Sequence, residues 1–164
     1  MKMRYRFLIV ILFSLNSSCH SMVVESPTKY ECDYLLGSFF RLTPDERLAN
    51  FATFDLDRQY VTYICGMQVM HPRTLYLADA FSKEGPIAFP FLAKKLVETQ
   101  NDSYFRNIVY VLSEMQSRKT YDVVAEKDLM LYMEKRASKI QDEFWRGYTQ
   151  RLIEKIQSYS GGKE

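Results

Sequence analysis

The chain has 164 residues, of which 47% are hydrophobic, and its formal net charge is +2. This positive charge comes from the extreme N-terminus: without Lys2, Arg4 and Arg6 the 22 basic residues fall to 19, against 20 acidic ones. A balance near −1 excludes the basic surface that nucleic-acid binding requires, and we therefore expect no nucleic-acid partner. The length suits one domain with its own core.

The N-terminal residues 1–21 have the three parts of a secretory signal peptide. A cationic start is followed by the apolar run Phe7–Leu15 and then by small polar residues. A membrane-spanning helix needs about 20 apolar residues, so this run is too short to remain as a permanent anchor. We expect cleavage near residues 18–21 and export to the periplasm or to a membrane surface.

Cys19 follows the apolar run directly. Residues 15–19 resemble the lipobox of bacterial lipoprotein signals, with Ser17 and Ser18 at the two positions before the cysteine. Asn16 departs from that pattern, which prefers leucine there. The resemblance implies that Cys19 is a lipidation candidate and that a lipid anchor is the one expected membrane contact. The alternative is ordinary signal cleavage nearby without lipid.

The chain contains an odd number of cysteines, Cys19, Cys32 and Cys65. If Cys19 is lipidated or removed, Cys32 and Cys65 remain as a disulfide candidate. Closing a loop of this size stabilises a fold by about 3–4 kcal/mol in the chain-entropy model. The alternative is two reduced thiols that pack as small hydrophobic side chains.

Helical signals begin after a predicted tether, residues 22–30. The first predicted helix lies within Cys32–Leu42, which is largely apolar. The next helix start is predicted by Thr43 as a cap, Pro44 at the first helical position and Glu46 completing a capping box.

A third helix is predicted to begin after Asp55 or Asp57, either of which can cap it. Its buried face is indicated by the spacing of Tyr60, Ile64 and Met67.

Pro72 opens the next predicted helix, and Gly85 is a C-terminal stop. Pro86 restarts the chain, and an apolar stripe from Phe89 to Val97 predicts the following helix.

Residues 101–103, Asn-Asp-Ser, predict a turn and cap before another amphipathic helix, which ends at a polar break over residues 116–120. From Val123 one apolar stripe continues to Ile156, over two helices or one long helix. Residues 160–164 are predicted to be a disordered tail.

The stretch 78–96 resembles a HEAT-type helical repeat, in which a helix ends at Gly and the next carries Ala, Pro and Leu at set offsets. Here these are Gly85, Ala88, Pro90 and Leu92, and the similarity extends over about residues 72–116. Asp102 and Arg106 then resemble the acid and arginine that open a following repeat. The predicted fold is all-α, one domain over residues 31–159 with six to seven helices, as a HEAT-like hairpin stack or an irregular bundle. A repeat stack would imply a concave surface that binds a macromolecule.

No catalytic, metal or cofactor-binding residue is predicted. The only histidines are His20 and His71, so Cys65 with His71 is the one conceivable nucleophile pair, and a structural Cys65 is favoured. Two acids could be considered as catalytic carboxylates of a wall-active enzyme: Glu143, beside Phe144 and Trp145, and Glu84. We expect both instead to be solvated acids on helix faces.

The aromatic content, 15% of the chain, is the remaining unusual feature. Tyrosine is favoured at interfaces because it combines rigid contact area with a polar group. We therefore predict a non-enzymatic, protein-binding module of the bacterial cell envelope, of the inhibitor, immunity or assembly-factor type, whose partner is another envelope protein. The alternatives are a wall- or lipid-active enzyme and a carrier of a small hydrophobic ligand. The candidate binding face consists of Tyr60, Tyr63, Tyr76, Tyr104 and Tyr110.

Overall fold

A computed structural model of the chain describes residues 27–70 and 73–159, and within these ranges the fold is all-helical, with no strand. The all-α prediction is confirmed. The described residues form one domain with eight α-helices, one more than the upper end of the predicted range: α1 (Lys29–Gly37), α2 (Pro44–Phe51), α3 (Leu56–Val69), α4 (Leu75–Ser82), α5 (Phe89–Glu98), α6 (Asp102–Ser117), α7 (Lys127–Ala137) and α8 (Glu143–Ser158). Short 3₁₀ helices lie at Phe39–Arg41 and Val123–Ala125.

Three predicted helix starts are confirmed by their capping hydrogen bonds. At α2 the Thr43 side chain accepts from the Glu46 backbone N–H, and the Glu46 carboxylate accepts in return from the Thr43 backbone N–H at 2.8 Å. At α3 the cap is Asp55, one of the two predicted candidates, and its carboxylate accepts from the Arg58 N–H at 2.7 Å. At α6 the Asn101 side chain accepts from the N–H of Ser103. Each cap satisfies backbone donors that the first helical turn leaves free.

Some boundaries differ from the predicted ones. Helix α1 begins at Lys29 behind a Thr28 cap, within the predicted tether. Helix α4 begins at Leu75, and Pro72 lies outside the described residues. The C-terminal apolar stripe is divided between α7 and α8. The predicted signal peptide and the predicted tail also lie outside the described ranges.

Helix α6 is the central element of the core. It contacts α3, α4, α5 and α8, while α1 packs on α3, α2 on α4 and α7 on α8. Gly85 lies between α4 and α5 with φ +49°, and a Cβ there would approach the Thr120 carbonyl oxygen to 2.7 Å. Glycine is therefore required where this connection crosses the turn after α6. Helices α4, α5 and α6 make up the segment similar to HEAT repeats, and membership of a repeat array stays a prediction.

Candidate functional site

Cys32 and Cys65 form a disulfide, with their Cα atoms 5.0 Å apart. The bond joins α1 to α3, and both cysteines are buried. Of the two alternatives left by the sequence, the bonded pair is therefore the one observed. Cys19 lies outside the described residues, so its lipidation stays a prediction.

The five tyrosines of the predicted binding face do not share an exposed surface. Tyr60, Tyr63 and Tyr104 are buried in the core, and the Tyr63 hydroxyl donates to the Asn107 carbonyl oxygen at 2.9 Å. Tyr76 is half-buried and accepts a hydrogen bond from the Arg47 guanidinium at 2.9 Å. The physical reason is that α3 and α6 pack against several neighbours, so that most of their tyrosines face other helices. Tyr110 is the member of the set that reaches a surface cleft.

That cleft, of about 250 Å³, lies where α3, α6 and α8 meet the start of α4. We name it the Trp145 cleft, and its lining residues are mostly aromatic or apolar with two arginines: Met67, Arg73, Leu75, Arg106, Asn107, Tyr110, Phe144, Trp145 and Tyr148. No carboxylate is among these lining residues.

The aromatic side of the cleft is built by the first turns of α8. The Asp142 carboxylate caps this helix by accepting from the Trp145 N–H at 3.0 Å. Tyr148 lies one turn after Phe144, and the Trp145 ring makes edge-to-face contacts with both, at centroid distances of 4.8 Å to Phe144 and 6.0 Å to Tyr148. Such contacts hold the three rings in a fixed relative orientation.

Two arginines lie over the Trp145 ring. The guanidinium carbon of Arg106, from α6, is 3.9 Å from the ring centroid, and that of Arg73 is 5.1 Å away. Arg106 is only 6% exposed and donates one hydrogen bond to the Ser103 hydroxyl at 3.1 Å. Cation–π attraction therefore favours the placement of both cations against the Trp145 ring of α8.

The positive charge of the cleft is not neutralised by an ion pair within the described residues. No described carboxylate approaches either guanidinium to within 4.0 Å, and Asp102, four residues before Arg106, is paired with Arg136 instead. Burial lowers the pKa of Arg106, and the nearby charge of Arg73 lowers it further. The partial burial of Tyr110 raises the pKa of its hydroxyl, and the nearby charge of Glu114 raises it further. The cleft thus holds two close cations in a partly desolvated, aromatic environment.

Two other depressions carry charges of a different kind. The one beside α1, of about 240 Å³, contains both Glu31 and Arg58. Hydrogen bonds from Thr28 lower the pKa of Glu31, and the charge of Arg58 adds to this effect. The groove between α7 and α8 contains Glu134 and Glu154, which are both exposed. The depression beside α1 also places an arginine near two tyrosines, Tyr30 and Tyr34, but it contains an acid and a single cation. The groove between α7 and α8 has neither a cation nor an aromatic residue among its lining residues.

Within the described ranges, no cluster of three or more histidine, cysteine or acidic side chains could hold a metal ion. No described helix is long and apolar enough to cross a membrane. Comparisons with protein-family models, with curated proteins and with solved structures find no match to this chain.

Sequence reasoning missed the Trp145 cleft, although one signal for it was present. In the sequence, Phe144 belongs to the C-terminal apolar stripe and, with Trp145, neighbours the acid Glu143, while Arg106 belongs to the repeat pattern. Near the start of α8, Tyr148 follows the adjacent pair Phe144 and Trp145 by about one helical turn. An aromatic group of this kind on a helix that is otherwise strongly amphipathic indicates a surface with a specific role.

Proposed function

We propose that this chain is an exported, non-enzymatic binding module of the bacterial cell envelope, and that another envelope protein docks at the Trp145 cleft. The observation that carries the proposal is an aromatic cleft with two arginines, neither of which forms an ion pair within 4.0 Å with a described carboxylate. Tryptophan, tyrosine and arginine are the residue types that most often dominate the energy of protein interfaces.

The rim of the cleft supports a protein partner. Phe144 is 66% exposed and Leu75 is also exposed, so both offer apolar area to a partner. A buried anchor region surrounded by such contacts is the usual anatomy of a protein-binding surface.

The two alternative functions have weaker support. A carrier of a hydrophobic ligand needs an enclosed apolar cavity of about 300 Å³ or more. The Trp145 cleft is smaller and contains two charged side chains. A wall-active enzyme needs acids in an environment that tunes their pKa. Glu134 and Glu154, the two acids that share a groove, are both exposed to solvent.

Export is supported by the disulfide together with the N-terminal sequence pattern. Disulfides persist in oxidising compartments such as the bacterial periplasm and are rare in the cytosol. The proposed locations are the periplasm or, if Cys19 carries lipid, a membrane surface to which the domain is tethered.

The test is an affinity pull-down of the mature protein from its own cell envelope, followed by mass spectrometry. Two matched variants are compared with the natural chain: F144A, on the rim of the cleft, and L131A, on α7. Both side chains are similarly exposed, at 66% and 65%, so neither truncation should affect folding.

We expect a stoichiometric protein partner that L131A retains and that F144A binds at least about tenfold more weakly, since covering an exposed phenylalanine side chain contributes about 1.5–3 kcal/mol. Recovery of no stoichiometric protein would contradict the binding function. Equal recovery by both variants would place the interface elsewhere on the molecule.

A further inference from the structure

The cations of the Trp145 cleft indicate the chemistry of the group that enters it. A guanidinium that stacks on an aromatic ring keeps its N–H groups in the plane, where they can donate to a planar acceptor. Arg106 uses one nitrogen for Ser103, and no hydrogen bond is observed for the Arg73 guanidinium within the described residues. Donors of this kind fit an anion with two oxygens.

Burial makes an anion at this position more strongly bound than at an open surface. Arg106 is more than nine-tenths buried and lies near a second cation. Charge–charge attraction increases as the effective dielectric falls, so an incoming anion both pairs with Arg106 and relieves its repulsion with Arg73.

The apolar lining indicates what accompanies the anion. Leu75, Phe144 and Met67 present hydrocarbon surface beside the two arginines. A bare inorganic ion would leave this surface in water, whereas an apolar side chain next to the anion would cover it.

We propose that the Trp145 cleft binds a glutamate or aspartate side chain next to an apolar side chain in a segment of the partner protein. This inference rests on the proposed function and specifies the partner's recognition element. A lipid phosphate has similar oxygen chemistry, but recruitment to anionic membranes relies on clusters of about four to eight basic residues. The cleft has two, and the chain beyond the N-terminal cations has 19 basic and 20 acidic residues.

Trp145 is the only tryptophan of the chain, so its fluorescence reports on this cleft alone. The probes are the acetylated and amidated tetrapeptides Gly-Glu-Phe-Gly and Gly-Gln-Phe-Gly, titrated to millimolar concentration. Phosphatidylglycerol vesicles form a third arm. We expect the Glu peptide to change the fluorescence with a dissociation constant about tenfold lower than that of the Gln peptide, because only it offers a charge-assisted hydrogen bond.

Two cleft variants and one matched control measure how much each arginine contributes to binding. R106Q should weaken binding of the Glu peptide about tenfold, and R73Q about threefold, with little effect on the Gln peptide. Since Arg73 is exposed, R73Q keeps the test valid even if R106Q does not fold. The control is R58Q, because Arg58 is also exposed and lies 5.4 Å from the centroid of another ring, Phe54, but outside the cleft.

Equal responses to the two peptides, or no response to either, would overturn the inference. A response to vesicles without one to the Glu peptide would overturn it in favour of a lipid phosphate. These results do not depend on the pull-down. A partner lost by F144A but retained by R73Q and R106Q would keep the protein-binding function and refute the acidic recognition element.

Discussion

Among the described glycines, Gly66 is the position at which adding a methyl group should reduce the stability of the fold most. It is buried in α3, and a Cβ there would overlap the Thr74 hydroxyl and lie 2.8 Å from Phe40 Cζ. Overpacking of a filled core typically costs about 1–3 kcal/mol. We therefore expect G66A to lower the free energy of unfolding by this amount, measured by urea denaturation.

The matched control is G37A. A Cβ at Gly37, the last residue of α1, meets no atom within 4 Å. Alanine restricts the unfolded chain more than glycine, so G37A should change stability by less than about 1 kcal/mol, in the stabilising direction. If both variants lost the same amount of stability, the close contacts at Gly66 would not be the cause, and the prediction of overpacking would be wrong.

The tyrosines show how far residue-level prediction extends. The spacing of Tyr60, Ile64 and Met67 correctly identified a buried face of α3, and all three are buried. The same Tyr60 was also assigned to a binding face, because periodicity defines one face of a helix but not how many neighbours surround it. Tyr63 is buried on another part of α3, and no local pattern indicates that α6 covers it.

At the scale of elements, α1 and α2 each begin with a capping box that includes a glutamate, so the stability of both helix starts depends on pH. Glu46 accepts hydrogen bonds from the Thr43 backbone and side chain, and both lower its pKa below 4.5. Glu31 is held in the same way by Thr28 at the start of α1. A carboxyl whose pKa is lower in the folded state stabilises the fold above its unfolded pKa, and this contribution disappears as the pH falls through the folded pKa.

We therefore expect the free energy of unfolding to decrease as the pH falls below about 4.5. E46Q keeps an acceptor oxygen for the capping box but cannot titrate, so its stability should fall less steeply between pH 5 and pH 3. The measurement is urea denaturation across this range. E154Q, at an exposed acid within α8, is the control and should follow the natural chain; an identical acid dependence of all three proteins would refute the role of Glu46.

Helix starts were predictable where one side chain has a capping role that its neighbours do not share. Thr43 is such a residue. For α3 the sequence left Asp55 and Asp57 open, and for α6 it indicated residues 101–103; Asp55 and Asn101 are the caps observed. Thr28 was missed although Glu31 completes its capping box, because this start lies next to a Pro-containing stretch that resembles a tether. The Asp142 cap marks the division between α7 and α8. Because the apolar stripe continues across this division, the sequence predicted either two helices or one long helix.

At the scale of the whole molecule, the Trp145 cleft as a whole could not be predicted, because its parts are distant in the sequence; the aromatic group of α8 is its one local signal. Met67, Arg73, Arg106 and Trp145 come from α3, the start of α4, α6 and α8, and only the packing around α6 brings them together. Cation–π contacts can join residues at any separation along the chain. The sequence therefore does not indicate that Arg106 and Arg73, which lie 39 and 72 positions before Trp145, both contact its ring. Composition did indicate the residue types, since aromatic enrichment was the reason to expect a binding surface.

The disulfide also acts at the scale of the whole molecule, because it joins residues 33 positions apart and ties α1 to the core through α3. Removing it with the double variant C32A/C65A frees this loop in the unfolded chain, which should lower the free energy of unfolding by about 3–4 kcal/mol. Urea denaturation with and without reductant measures the effect. Reductant should lower the stability of the natural chain to a similar extent and leave the variant unchanged. Intact mass after alkylation provides an independent check: incorporation of label at both Cys32 and Cys65 in freshly isolated, unreduced protein would show that the bond is absent in the cell.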